Sequence, residues 1–271
     1  MPSLSAGSAA PALKGLKQPA TVRWIPPLRL EGAWQMAIDE HLLDRALADP
    51  SAGPSFRLYR WSRPTVSLGY HQRIVPPHWR TLAAQGLIDL VRRPTGGRAV
   101  LHGQDLSYAL IWPAAPGSRR QAYGQACGWL CRAFADLGLP LRFGHQAPSR
   151  DRASCFATST AADLVHHDGS KRIGSAQLWR KGALLQHGSI LINPQRELWR
   201  TLFLEDPPTL APLRIGTAAF EDLLERSASR CLPLAQGPVQ LVSQSLLAGE
   251  WRAIGGAMAR YRIHRGSGSI D

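Results

Sequence analysis

The sequence predicts an α+β fold. Short β-prone runs alternate with stretches of helical spacing, without the strict strand-helix-strand rhythm of a doubly wound sheet. No internal repeat is visible, which sets aside solenoids and propellers. At 271 residues, 44% hydrophobic and 19% charged, the chain has enough material for one domain with a sizeable core.

Residues 1–20 are rich in Ser, Ala, Gly and Lys, carry no acid, and read as a disordered tail; the same composition slightly resembles an organelle transit peptide. The domain proper is expected over 21–254. Val22-Arg-Trp-Ile opens it as a strand. Trp34, Ile38, Leu42, Leu43, Ala46 and Leu47 then follow helical spacing from Ala33 to about Ala48, with Pro50 beyond the end. Asp39 and Glu40 sit mid-helix and are expected on its solvated face. Phe56 to Trp61 and Thr65 to Tyr70 are β-prone and separated by Ser62-Arg63-Pro64, as a strand pair would be.

Pro76 and Pro77 open a helix running through Gln85, Gly86 closes it, and Leu87 to Val91 form a strand. Leu106 to Trp112 is another strand, and Gln121 to Leu137 one amphipathic helix stopped by Gly138 and Pro140. Gln146 to Ser154 is polar, as at a surface. Ile173 to Leu178 and Leu184 to Ile192 read as strands joined by an Arg180-Lys181-Gly182 turn. Arg196 to Leu204, Ala218 to Ser227 and Val239 to Ala253 have helical spacing and no evident chemistry, and 255–271 is a C-terminal tail.

Arg, Lys, Pro or Gly interrupts every hydrophobic stretch before the length that crosses a bilayer, so no membrane association is expected. Four cysteines in so long a chain do not make a disulfide framework, which points to a reducing, cytoplasmic setting. Cys127 and Cys131 stand four apart on one helix but have no second Cys/His pair at fitting spacing, so they read as core, as does Cys231; no metal is expected. The formal charge of +13 implies an acidic partner. The 32 Lys and Arg are scattered and form no nucleic-acid recognition motif, so an acidic protein accounts for the charge equally well.

Two stretches carry chemistry. Cys155 stands in a polar Ser/Thr-rich loop, and sixteen residues later Lys171 lies in Gly169-Ser-Lys-Arg-Ile-Gly-Ser-Ala. An ammonium folded back beside a thiol favours the thiolate, the form that attacks acyl groups. Arg92-Arg-Pro-Thr-Gly-Gly-Arg-Ala-Val-Leu-His is the second. Gly96 and Gly97 let backbone approach a ligand and expose amide donors, while Arg92, Arg93, Arg98 and His102 can bind an anionic or carbonyl-bearing group. A tight hairpin turn would need the same glycines. The stretch is neither a Walker A loop nor a dinucleotide fingerprint. His187, on the later strand, is equally a core histidine.

Together, Met36-Ala-Ile-Asp-Glu, Phe56-Arg-Leu-Tyr-Arg-Trp, Val66-Ser-Leu-Gly-Tyr-His-Gln, the arginine-glycine stretch, Cys155-Phe, Lys171-Arg-Ile-Gly-Ser-Ala-Gln and Leu185-Gln-His-Gly-Ser-Ile-Leu resemble the biotin/lipoate protein ligase superfamily. Within it they resemble the cysteine-dependent octanoyl-acyl carrier protein:protein octanoyltransferases. The resemblance covers roughly residues 31–193. It implies a mixed β-sheet flanked by helices, with Cys155 as the acyl-thioester nucleophile and Lys171 lowering its pKa and holding the acyl carbonyl oxygen. It places Arg92, Arg93, Thr95, Gly96, Gly97, Arg98, His102, Gly174, Ser175, Ala176, His187 and Gly188 around the acyl group. The chain departs from the family pattern after the cysteine, at Ala157-Thr-Ser-Thr-Ala-Ala-Asp.

The implied activity moves an octanoyl group from octanoyl-acyl carrier protein to a lysine of apo lipoyl-domain proteins. These are the glycine cleavage H protein or 2-oxoacid dehydrogenase subunits, and this is the first step of lipoate biosynthesis. The enzyme would be a monomer without cofactor or nucleic acid. Three alternatives stay open: an ATP-dependent lipoate-protein ligase, an octanoyl/lipoyl amidotransferase, and a non-catalytic binding protein.

Overall fold

Among the described residues of the computed structural model (20–145, 154–157, 160 and 162–263) the chain forms two sheets and their covering helices. In order these are β1 (Thr21–Leu30), α1 (Gly32–Ala48), β2 (Ser55–Trp61), β3 (Thr65–Leu68), α2 (Pro77–Ala84), β4 (Asp89–Arg92), β5 (Val100–His102) and β6 (Asp105–Trp112). There follow α3 (Arg119–Ala126), α4 (Gly128–Asp136), β7 (Arg142–Phe143), β8 (Asp163–Val165), β9 (Lys171–Arg180) and β10 (Ala183–Leu191). The last are α5 (Arg196–Phe203), α6 (Thr217–Cys231), β11 (Gln240–Ser243) and α7 (Ala248–Ala257). The tail expected before residue 20 and the loop 146–153 lie outside the described residues.

The large sheet has eight strands in the order β11-β1-β2-β6-β10-β9-β8-β7, and the small one has β4-β3-β5. Parallel and antiparallel pairs occur in both, so the sheets are mixed as the resemblance implied. Side chains alternate across the large sheet. Phe56, Leu58, Tyr108 and Leu110 pack with Trp129, Phe134 and Phe220 of α4 and α6. Tyr59, Trp61, Ala109 and Leu185 face Met36, Ile38 and Leu42 of α1. A third cluster joins the small sheet to α2 and α5 through Trp79 and Trp199.

Four expectations are corrected. β2 and β3 are not a strand pair: β2 is buried along nearly its whole length and sits between β1 and β6, while the corner at 62–64 carries the chain into the other sheet. The helix expected over 121–137 is two, because Gly128 follows a break at Cys127. Within 239–253, Gln240–Ser243 add a parallel edge strand to β1, and α7 begins only after Leu247, whose N–H is capped by Glu250. The C-terminal tail expected from 255 is packed as far as 263: Tyr261 is buried and Ile263 N–H donates to the Leu90 carbonyl. No helix among the described residues is long and apolar enough to cross a membrane.

Candidate active site

Cys155 is placed by the glycine loop. Ser154 bridges to Ala99, the Cys155 N–H donates to the Ala99 carbonyl at 2.9 Å, and Cys155–Ala157 form a single 3-10 turn. Opposite stands Lys171, the first residue of β9 and almost wholly buried. Its Nζ donates to the Cys155 carbonyl at 2.6 Å, lies 3.5 Å from Cys155 Sγ, and pairs with Asp163 at 3.0 Å. It also stands 4.9 Å from the centre of the Phe156 ring. Gly174 makes room, since a Cβ there would come within 3.2 Å of Lys171 Cε.

The arginine-glycine stretch folds back on itself. Arg93 is buried and spends its guanidinium on the Gly96, Arg98 and Ser67 carbonyls, at 2.7–3.1 Å. Burial holds its pKa below the ordinary arginine value. Gly97 has φ of +99°, and a Cβ on Gly69 would lie 1.9 Å from the Gly97 carbonyl oxygen. The loop therefore needs glycine both for its turn and for its contact with the segment after β3. Arg92 donates to the Gly69 and Gln72 carbonyls. Arg92 and Arg93 thus brace the loop from behind, and the carbonyl-binding role expected of them has no free donor face in Arg93.

Behind the sulfur runs a narrow, mainly apolar slot walled by Met36, Tyr59, Trp61 and Val100. Of the expected residues, Arg93, Gly97, His102, Gly174, Ser175, Ala176, His187 and Gly188 border this slot together with Cys155. Lys171, Arg92, Gly96 and Arg98 border a wider outer cleft of about 1120 Å³, which Cys155 also lines, so the cysteine stands where slot and cleft meet. Thr95 is buried and borders neither space, but its hydroxyl bonds His187 of the slot and its carbonyl accepts from Tyr70 N–H at the cleft.

Both histidines are fully occupied. His102 lies between Ser67 Oγ at 2.9 Å and Asp105 at 2.8 Å and stacks on Trp61. Burial lowers its pKa, so the neutral ring is favoured. Asp105 also accepts from Ser107, Ser189 and the Gly103 N–H; burial pushes its carboxyl up, but His102 and these donors hold it below its usual range.

His187 bonds Thr95 Oγ1 at 2.7 Å and Asp39 at 2.8 Å. Asp39 is itself held by Arg57 at 2.8 Å and by the Tyr59 hydroxyl at 3.2 Å. Burial alone would raise the Asp39 carboxyl; Arg57 and His187 bring it below its ordinary value. The solvated face expected for Asp39 and Glu40 is therefore wrong. α1 is covered by β2, β6 and β10 on one side and by α7 and β4 elsewhere, and Glu40 is bound by Arg180 and Tyr261.

Sequence reasoning missed Asp39, Asp105 and Asp163. Arg57 was an available signal for Asp39, because an arginine on the inward face of an apolar strand needs a buried acid. Burial pushes the Cys127 thiol up to about 12 and also raises Cys131. Among the described residues, no cluster of three His, Cys, Asp or Glu could hold a metal ion.

The family model of the lipoyl protein ligase A/B catalytic domain matches residues 31–209. Octanoyltransferase LipM of Kyrpidia tusciae is 35% identical over 243 residues, 82% of this chain and 83% of that protein. Octanoyltransferase LipM of Bacillus subtilis is 34% identical over 199 residues, 69% of this chain and 71% of that protein. A lipoate-protein ligase A solved with ATP superposes with a TM-score of 0.70 at 19% identity, covering 90% of this chain and 95% of that one. The bi-partite lipoate protein ligase of Thermoplasma acidophilum gives 0.66 at 18%, covering 90% and 93%. At such identities these two structures speak for the fold.

Proposed function

The chain belongs to the lipoyl protein ligase A/B catalytic domain family, and we propose that it is an octanoyltransferase working through a thioester on Cys155. The octanoyltransferase class is that of its relatives at about 35% identity over most of the chain. The observation that carries the thioester is the sulfur itself: half-buried, 3.5 Å from a buried ammonium, at the point where an apolar slot opens into the outer cleft. Adenylate chemistry has no use for a thiol so placed, which is why this reading is preferred to a ligase.

The donor is octanoyl-acyl carrier protein. Its acyl tail enters the slot between Met36 and Trp61, where each methylene removed from water contributes about 0.8 kcal/mol. The Cys155 thiolate attacks the thioester carbonyl, and the tetrahedral oxyanion is stabilised by Lys171, an effect worth roughly 3 kcal/mol per donor. The carbon–sulfur bond to the carrier breaks and the carrier thiol leaves. The ε-amine of a lysine on an apo lipoyl domain then attacks the Cys155 thioester, giving the octanoyl amide and freeing the cysteine. The donor arrives activated, so the sequence of steps calls for neither ATP nor metal.

The enzyme acts in the cytoplasm as a monomer, in protein lipoylation. Its charge of +13 steers both acidic substrates toward the cleft. The test is transfer to an apo lipoyl domain followed by intact mass. The domain should gain one octanoyl group when enzyme and octanoyl-carrier protein are present without ATP. A gain that requires ATP and free octanoate would replace this reading with the ligase.

A further inference from the structure

We infer that Asp163 is a positioning residue for the reaction, acting through Lys171 to keep an ammonium beside the Cys155 sulfur; this rests on the proposed role of Cys155. The strand register carries the first part of the argument. Asp163 pairs with Gly174 and Leu164 with Ile173, but Val165 pairs with Lys171, so Arg172 is an extra residue on β9. Such a bulge reverses which face the following side chains take. Leu164 and Ile173 point into the core under α4 and α6. In regular register Lys171 would follow them there. The bulge instead places it opposite Val165, on the face of Asp163.

Charge carries the second part. The Lys171 and Asp163 side chains are 2% and 5% exposed, and an ammonium that buried is strongly disfavoured unless a carboxylate faces it. Asp163 is held for that purpose. Its Oδ2 accepts the Thr160 N–H at 2.7 Å and the Thr160 hydroxyl at 3.0 Å, leaving Oδ1 to face Lys171 Nζ at 3.0 Å. Without the carboxylate, burial favours the neutral amine, which no longer supports a thiolate.

The proton inventory closes around the same pair. When the carrier carbon–sulfur bond breaks, Lys171 gives its proton to the departing thiolate. When the acceptor amine attacks, the new carbon–nitrogen bond forms, the bond to Cys155 breaks, and the amine proton returns to Lys171. Asp163 favours the ammonium at the start and at the end of that cycle.

The test is iodoacetamide alkylation of the Cys155 peptide followed by mass against pH, in the full-length chain and without any acyl substrate. Asp163→Asn should slow alkylation at pH 7 about tenfold and move the profile about one pH unit upward. Thr160→Val, which removes one support of Asp163 and leaves its charge, should leave the profile in place. Asp163→Ser repeats the measurement if the asparagine variant is unfolded by thermal melt. A profile unchanged in the Asp163 variants, or shifted equally by Thr160→Val, overturns the inference and reduces Asp163 to a loop anchor. Failure of the wild-type enzyme to take octanoyl from the carrier would sink the proposed function separately, since alkylation does not depend on it.

Discussion

At the mouth of the slot the Cys155 sulfur is half-buried, with an ammonium 3.5 Å away. Along the inner wall His102 and His187 are buried and each is bonded at both ring nitrogens, to a hydroxyl on one side and a carboxylate on the other. A hydroxyl, an imidazole and a carboxylate in a row look like catalytic machinery. Here both ring nitrogens are spent within the protein: one row ties α1 and the glycine loop to β10, and the other ties β3 and β5 to β6. A place on the outer cleft, which Cys155 and Lys171 line and His102 and His187 do not, separates the reactive mouth from the structural wall. The mouth should therefore govern rate and the wall stability.

The largest effect should come from Cys155→Ala, which removes the nucleophile: octanoyl transfer should drop to the uncatalysed background while the melting temperature hardly moves. A variant that keeps its turnover would break the comparison at once. Next, Lys171→Met should lower kcat by about 10²–10³-fold through loss of charge stabilisation at the oxyanion. The same change strands a buried Asp163, so denaturant unfolding should also show a loss.

The wall is probed by Asp39→Asn. It leaves Arg57 buried with an uncompensated charge, which should cost about 3–5 kcal/mol in urea unfolding, with kcat of the folded fraction much less affected. Full stability with abolished turnover would instead put Asp39 in the chemistry.

The smallest effect is a titration. The folded His102 has a lowered pKa, so below about pH 6.5 the unfolded chain takes up a proton that the folded one refuses, and stability falls with pH. His102→Asn should flatten that slope between pH 6.5 and 5 in urea titrations. An unchanged slope would mean that other groups carry it.

Much of the site was legible because its signals are local. The sixteen-residue offset from Cys155 to Lys171, the Gly96-Gly97 turn and the alternation of strands and helices can all be read from neighbours in the chain. Asp163 was not. It meets Lys171 across an antiparallel pair whose register depends on one inserted residue, and no spacing rule announces a bulge.

Asp39 failed differently. Helical periodicity says which residues share a face, but not that Asp39 is laid against the large sheet, where Arg57 of β2 and His187 of β10 hold it. The β11 strand and the packed residues to Ile263 were hidden for a related reason. Each depends on a partner far away in sequence, β1 for the strand and β4 for the chain end.

The most direct test of the thioester is peptide-level mass of the enzyme itself after exposure to octanoyl-carrier protein without ATP. One octanoyl group should appear on the peptide containing Cys155 and vanish with hydroxylamine. An acceptor domain that becomes octanoylated while the enzyme never carries the group, or carries it at another residue, would contradict the account.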